Sequence, residues 1–180
     1  MTATTPRPAA FLDRDGTLNV DVDYGHRPDQ ITWIDGAVDA LRRLNQAGWW
    51  VFVVTNQSGV ARGLFDEATV DRLHDWMAAD LARRGARIDA FYSCPHHATK
   101  GIGRYRIDCD CRKPSPGLLL RAMAEHPVDA ACSFMLGDRM RDVEAGRAAG
   151  VASHLYEGGN LDTVVERLMR APDRSRPSPE

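Results

Sequence analysis

The alternation of two kinds of apolar segment constrains the fold of this chain more than any other feature of its sequence. Short runs rich in β-branched and aromatic residues, such as "WWVFVVTN" at 49–56, alternate with longer runs of helical periodicity, such as 66–84. Such alternation is typical of a parallel sheet covered by helices on both faces. We therefore expect an α/β, three-layer, Rossmann-like fold with a mainly parallel sheet.

The same pattern predicts five strands and five helices in one domain of 180 residues. The ordered core is expected over residues 9–170, and the polar, proline-rich segment 171–180 is expected to be a mobile tail. Cys132 falls inside a predicted strand, where we expect it to be a small core residue. The predicted strands are 9–13, 49–56, 88–94, 131–138 and 151–156, and the predicted helices are 36–48, 66–84, 116–126, 141–150 and 160–170.

Composition and charge exclude several classes of protein. The formal net charge of −2 gives no electrostatic reason to bind nucleic acid or a membrane surface. No apolar run approaches the roughly 20 residues that a membrane-spanning helix needs, and the N-terminus lacks the apolar segment of a signal peptide. We expect a cytoplasmic monomer with a small-molecule partner, in which the four cysteines do not form disulfides.

Carboxylates follow two of the predicted strands. Asp13 and Asp15 stand in "FLDRDGTLN", and Asp138 follows the fourth strand, with Asp142 one helical turn later. In parallel sheets, ligands bind at the carboxyl ends of the strands. Three carboxylates there suit Mg²⁺, which prefers oxygen ligands, although Asp-x-Asp-Gly is also a common turn sequence.

Hydrogen-bond donors and a cation complete this cluster. The segment "TNQS" offers hydroxyl, amide and backbone N–H donors for a phosphoryl group, without a Walker-type loop. Lys113, between Arg112 and Pro114, could neutralise phosphate and carboxylate together. The plainer alternatives are a polar turn and a solvated lysine. The four residues of the donor segment are Thr55, Asn56, Gln57 and Ser58.

Cysteine spacing predicts a second metal site, of a structural kind. Cys94 and His96 form Cys-x-His, and Cys109 and Cys111 form Cys-x-Cys. Three thiolates and one imidazole form a closed tetrahedral set for Zn²⁺, which would hold the polar loop between them and position Arg112. His97 could replace His96, and reduced cysteines in a loop are the alternative interpretation.

The four motifs "FLDRDGTLN", "VVTNQSG", "CRKP" and "MLGDRMRD" resemble, in order and spacing, those of the haloacid dehalogenase (HAD) superfamily of phosphohydrolases. The resemblance implies that Asp13 is the nucleophile and that Asp15 is the general acid and base. It implies that Thr55 and Lys113 hold the phosphoryl group. Mg²⁺ would be bound by Asp13, the carbonyl of Asp15, and Asp138. The short intervals between motifs leave no room for a cap domain, so we expect a capless, open site.

The segments "CPHH…CDCRKP" and "TNQSGVARG" narrow the resemblance to the HAD branch that acts on heptose bisphosphate or histidinol phosphate. Five arginines favour the phosphorylated sugar: Arg62, Arg104, Arg106, Arg112 and Arg139. Histidinol phosphate, a phosphotransfer reaction, or a zinc-stabilised binding module without catalysis remain as alternatives. By this resemblance the substrate is lined by Asp21, Val22, Asp23, Tyr24, Thr55, Asn56, Gln57, Ser58, Arg112, Lys113 and Arg139.

Overall fold

The computed structural model describes residues 5–170 and is built on one five-stranded parallel sheet. The strands are β1 (Ala9–Leu12), β2 (Trp50–Asn56), β3 (Ala90–Cys94), β4 (Phe134–Gly137) and β5 (Ala152–Leu155). The helices are α1 (Ala37–Gln46), α2 (Ser58–Ala61), α3 (Glu67–Arg83), α4 (Gly117–Glu125), α5 (Met140–Ala148) and α6 (Leu161–Arg170). The predicted parallel α/β architecture is confirmed.

The strand order is β3-β2-β1-β4-β5, which places the first strand of the chain at the centre of the sheet. Phe11 of β1 pairs with Phe52 of β2 on one side and with Met135 of β4 on the other. The chain builds outward from β1 to β3 and then returns to the opposite side of β1. Ligands bind at such a reversal, outside the carboxyl ends of the strands. This edge carries Asp13, which directly follows β1.

Two apolar clusters cover the two faces of the sheet. Ala10 and Leu12 point to the face packed by α1, α6 and the end of α3, whereas Phe11 points to the face packed by α4 and α5. Successive side chains of a strand alternate between faces, so β1 contributes to both clusters and all four of its residues are buried. The three predicted layers are therefore present, and the rigid central strand fixes the position of the residues that follow it.

Helix α3 begins where the sequence predicts. Asp66 is its N-cap, and its carboxylate accepts a hydrogen bond from the backbone N–H of Thr69 at 2.8 Å.

One prediction about the core is wrong: Cys132 is exposed, because β4 begins only at Phe134 and a short 3₁₀ turn (Ala130–Cys132) precedes it. No cap domain is inserted between the elements of residues 5–170. The predicted tail, 171–180, lies outside the described residues. No helix among the described residues combines the length and apolarity needed to span a membrane.

Candidate active site

A buried ion network surrounds the carboxylate that follows β1. Lys113 Nζ donates hydrogen bonds of 2.7 Å to Asp13 Oδ1 and to the carbonyl of Val54, and it lies 2.7 Å from Asp142 Oδ1 as an ion pair. Asp13 is only 5% exposed and Lys113 only 2%. Burial raises the pKa of Asp13 to about 6, against the attraction of Lys113. One ammonium thus holds two buried carboxylates, an arrangement that leaves excess negative charge in the site.

Asp13 lies beside Asp138 and Asp142, with carboxylate oxygens within 4.8 Å of one another. Asp142 Oδ2 accepts the backbone N–H of Arg139 at 3.0 Å, and its Oδ1 forms the ion pair with Lys113. Asp13 keeps its second oxygen free of the Lys113 bond. Burial raises the pKa of Asp138, against the attraction of Arg139, and the neighbouring carboxylate of Asp142 raises it further. The residues present therefore fit a divalent cation between Asp13 and Asp138.

Glycine at position 16 lets the motif turn back towards Asp138. Gly16 has φ of +84°, in the left-handed region, and a Cβ there would clash with the Asp138 carboxylate. The close approach of the two segments thus depends on the absence of a side chain. This explains physically why glycine follows the aspartate pair in this chain.

The second carboxylate of the pair has a different environment. Asp15 accepts two hydrogen bonds from the Arg14 guanidinium, at 3.0 and 2.8 Å, and others from Asn19 at 3.0 Å and Gln57 at 3.2 Å. Burial opposes ionisation of Asp15, but the charge and hydrogen bonds of Arg14, with those of Asn19 and Gln57, hold its pKa below the ordinary value. The two carboxylates are thereby distinguished: the pKa of Asp13 is raised and that of Asp15 is lowered.

The carboxyl end of β2 supplies the hydroxyl and amides of the cluster. Gln57 Nε2 donates to Thr55 Oγ1 at 2.9 Å, which leaves the Thr55 hydroxyl proton available to a ligand. Asn56 exchanges two 3.0 Å hydrogen bonds with the backbone of Lys113. Asn56 therefore ties the two loops together, while Thr55 and Gln57 lie beside the carboxylates.

These residues line one cavity of about 410 Å³. Val22 is the exception among the predicted substrate residues: it does not line this cavity and is 44% exposed. Asp23 and Tyr24, in the same loop, have positive φ angles of 51° and 57°, an uncommon conformation for residues other than glycine. The predicted site residues that do line this cavity are Asp13, Asp15, Asp21, Asp23, Tyr24, Thr55, Asn56, Gln57, Ser58, Arg112, Lys113, Asp138 and Arg139.

Arg139 is held on the acidic side of the cavity, with Nε 3.1 Å from Asp138 Oδ2 and Nη2 3.9 Å from Asp21 Oδ2. Sequence reasoning missed the cavity residues Arg141 and His97, and it gave Arg14 no role. A larger neighbouring cavity of about 700 Å³ is lined by such residues as Phe65 and contains none of the site carboxylates. The carboxylate cluster therefore belongs to the smaller cavity.

The four predicted zinc ligands converge at the end of β3. The Sγ atoms of Cys94, Cys109 and Cys111 lie 3.0–3.6 Å apart, and His96 Nδ1 lies 3.4 Å from Cys111 Sγ. Tetrahedral ligands around Zn²⁺ would be separated by about 3.8 Å, so a small adjustment fits the ion. His97 is not part of this cluster but lines the 410 Å³ cavity, and its Nδ1 accepts the backbone N–H of Lys100 at 3.1 Å. The cluster could hold a metal ion and includes His96 rather than His97.

A central parallel strand followed by an aspartate pair, a strand-end threonine and a buried lysine defines the class of protein as a HAD-like phosphatase. The HAD-hydrolase-like family model matches residues 110–178. The similarity extends to D-glycero-beta-D-manno-heptose-1,7-bisphosphate 7-phosphatases over much more of the chain. The relative from Rhodopseudomonas palustris is 46% identical over 170 residues, 94% of each chain. The relative from Escherichia coli K12 is 49% identical over 146 residues, 81% of this chain and 76% of its own length.

A solved structure agrees with these relatives. D,D-heptose 1,7-bisphosphate phosphatase from B. bronchiseptica, crystallised with magnesium and phosphate, superposes with a TM-score of 0.76 and 37% identity. The alignment covers 91% of this chain and 98% of the other. The chain belongs to the family of heptose bisphosphate phosphatases within the HAD-like hydrolases.

Proposed function

We propose that this protein hydrolyses the 7-phosphate of D-glycero-D-manno-heptose 1,7-bisphosphate through an aspartyl phosphate on Asp13. The observation that carries the proposal is the meeting of Asp13, Lys113 and Asp138 in one cavity with three arginines that have no carboxylate partner among residues 5–170. The family relationship supports the reaction, and the cavity supports the substrate. We also propose a single-domain monomer that binds neither nucleic acid nor a membrane, in keeping with a formal net charge of only −2, and a cytoplasmic location, where its thiols stay reduced.

The first step is attack by the free oxygen of Asp13 on the phosphorus atom. The new O–P bond forms as the bond to the sugar oxygen breaks, and that oxygen takes a proton from Asp15. Lys113 holds Asp13 by a 2.7 Å hydrogen bond and places positive charge beside the incoming phosphate. The Thr55 hydroxyl supports a phosphoryl oxygen. Phosphoryl transfer depends mainly on such positioning and neutralisation.

The second step is hydrolysis of the acyl phosphate. Asp15, now ionised, takes a proton from a water molecule, whose oxygen forms a bond to phosphorus while the bond to Asp13 breaks. The low pKa of Asp15 in the free protein means that it enters the cycle ionised. A phosphate dianion bound beside Asp15 raises that pKa through like-charge repulsion, so that Asp15 takes up the proton it donates.

Two metal ions are part of the proposal. Mg²⁺, bound by Asp13, the carbonyl of Asp15 and Asp138, would supply positive charge where the carboxylates of Asp13, Asp138 and Asp142 lie close together. Zn²⁺ would be structural, held by Cys94, His96, Cys109 and Cys111. Arg112 links the second metal to the cavity, because its Nη1 donates to the carbonyl of His96 at 3.1 Å.

Three arginines of the cavity, Arg62, Arg112 and Arg141, favour a substrate with a second phosphate. Burial lowers the pKa of Arg112, and the neighbouring charges of Arg141 and Arg62 lower it further. All three line the cavity, and none of them forms an ion pair with a carboxylate of residues 5–170. Arg62 Nε is buried without a hydrogen-bond partner in the same range. Like charges without counterions are costly unless an anion binds, and arginine pairs well with phosphate.

Two of the five arginines predicted to favour a phosphorylated sugar are not part of this cluster. Arg104 is not among the described residues that line the 410 Å³ cavity, and its Nη2 lies 3.3 Å from Glu67 Oε1. Arg106 is exposed and is also absent from that lining. The second phosphate is therefore assigned to Arg62, Arg112 and Arg141, which come from different segments of the chain.

Histidinol phosphate is the second candidate, and the presence of Asp21 and Asp23 in the cavity favours it, since carboxylates suit an amine. The kcat/KM values for heptose bisphosphate, heptose 7-phosphate and histidinol phosphate decide between them. We expect the bisphosphate to be preferred at least tenfold, about 1.4 kcal/mol in the barrier. A tenfold preference for histidinol phosphate would reject the assignment, and no phosphate release from any of the three with Mg²⁺ would favour a binding module.

Arg62→Ala tests the second phosphate. It should lower kcat/KM for the bisphosphate at least tenfold and change the value for heptose 7-phosphate less than threefold. Arg104→Ala is the matched control, because Arg104 lies outside the cavity, and it should leave both values unchanged. Equal losses on both substrates in Arg62→Ala would contradict the role of this arginine.

A further inference from the structure

The arginine between the two aspartates is buried and forms several fixed hydrogen bonds. Arg14 is 0% exposed, a rare environment for a guanidinium. Its Nε and Nη2 bind the two oxygens of Asp15 at 3.0 and 2.8 Å, and Nη2 also donates to the carbonyl of Gly25 at 2.9 Å. This two-point contact fixes the plane of the Asp15 carboxylate and not only its distance.

The remaining amino group of Arg14 faces a histidine from a distant part of the chain. His74 Nε2, on α3, lies 3.3 Å from Arg14 Nη1, and 60 residues separate the two. His74 is 6% exposed, and its ring stacks on Phe91 with centroids 4.4 Å apart and planes 14° apart. The ring is thereby held with one edge towards the guanidinium.

His74 must be neutral to serve as an acceptor. Burial, together with the charge of Arg14, lowers the pKa of His74 to about 3. Arginine is always protonated, so it donates and Nε2 accepts, which leaves the proton of His74 on Nδ1. Among residues 5–170, this imidazole nitrogen is the one hydrogen-bond partner of Arg14 Nη1. Without this imidazole the Nη1 amino group of Arg14 would be buried and unsatisfied, which would favour rotation of the guanidinium.

We propose that His74 is a positioning residue of the reaction: through Arg14 it fixes the carboxyl of Asp15 in the orientation that proton transfer needs. The inference rests on the proposed function, in which Asp15 protonates the leaving sugar oxygen. His74 touches neither substrate nor metal. Its effect on the rate passes through two hydrogen-bonded contacts, and it is therefore greatest where the leaving group needs a proton.

The test compares two leaving groups. p-Nitrophenolate leaves without protonation, whereas a sugar alkoxide requires it, and kcat/KM reports the steps up to cleavage of the ester bond. In His74→Leu we expect kcat/KM for heptose bisphosphate to fall at least tenfold, while that for p-nitrophenyl phosphate changes less than twofold. His74→Gln should restore both values within threefold, because Gln Oε1 can accept from Arg14 as Nε2 does.

Further variants separate positioning from folding. Asparagine at position 74 carries the same amide group as glutamine but is too short to reach Arg14, so His74→Asn should have the same selectivity between substrates as His74→Leu. If the leucine variant does not fold, the comparison of His74→Asn with His74→Gln tests the positioning role. His154→Leu is the matched control, a partly buried histidine on β5 against Phe134, and it should leave the ratio of the two rates unchanged. Equal losses on both substrates, or equal ratios in His74→Asn and His74→Gln, would overturn the proposal.

Asp15→Asn separates a failure of the role of His74 from a failure of the proposed acid role of Asp15. If Asp15→Asn lowers the rate for heptose bisphosphate much more than that for p-nitrophenyl phosphate, the acid role of Asp15 stands. A His74→Leu variant that does not share that selectivity then refutes the role of His74 alone. If Asp15→Asn shows no selectivity, the assignment of Asp15 fails and the inference falls with it.

Discussion

Replacing Asp13, the proposed nucleophile, should stabilise the metal-free protein while abolishing its activity. Asp13 and Asp142 are both buried around the single ammonium of Lys113, so at neutral pH the network carries one negative charge in excess. Asp13→Asn removes that charge and keeps an oxygen that can accept the 2.7 Å hydrogen bond from Lys113. A buried lysine and a single carboxylate then remain as a balanced pair.

The raised pKa of Asp13 gives the magnitude. A carboxyl whose pKa rises from 3.8 in the unfolded chain to about 6 in the folded protein opposes folding once it is ionised. The difference corresponds to about 3 kcal/mol, which builds up as the pH rises from about 4 to 6 and is complete above that. Asparagine does not ionise and so avoids this cost. The free energy of unfolding of Asp13→Asn should therefore be up to about 3 kcal/mol higher than that of the wild-type protein at pH 8, which corresponds to about 6–12 °C in Tm.

Urea unfolding in EDTA between pH 4 and 8 measures this difference. We expect the two proteins to differ little near pH 4, where Asp13 is protonated, and most at pH 8. Added Mg²⁺ should raise the midpoint of the wild-type protein more than that of Asp13→Asn, because the cation offsets the same excess charge. Equal stabilities at pH 8, or a difference that does not change with pH, would refute the reasoning about this network.

The other predictions concern the metals, a tight turn and a helix cap. Removing zinc with a chelator, at saturating Mg²⁺, should raise KM several-fold because Arg112 loses its fixed carbonyl partner; unchanged constants in verified zinc-free protein would contradict this. Asp138→Asn should weaken Mg²⁺ activation at least tenfold, measured as the Mg²⁺ concentration for half-maximal rate. Gly16→Ala should lower activity and Tm together, since its Cβ would clash with Asp138; an unaffected variant would exclude that contact. Asp66→Ala should lower the free energy of unfolding by about 1 kcal/mol in urea, without changing kcat, through loss of the bond from Thr69.

Most of the fold and much of the candidate site could be predicted from local patterns. β2 and α3 were visible because side-chain periodicity reports directly which face of a segment is buried. The proposed zinc ligands were visible as two Cys-containing pairs of short spacing, a property of neighbouring residues. The strand predicted around Cys132 began too early, because an apolar run does not show where sheet pairing starts.

The sequence by itself determined the order of strands and helices, the polar residues at three strand ends and the residue types of both proposed metal sites, since these depend on residues close together in the chain. The tertiary structure alone decided that Lys113 bridges Asp13 and Asp142, that His74 meets Arg14, and which arginines share the cavity. Each of these contacts joins distant segments. Local periodicity carries no information about them, because the burial and pairing of charges are set only when the separate elements pack together.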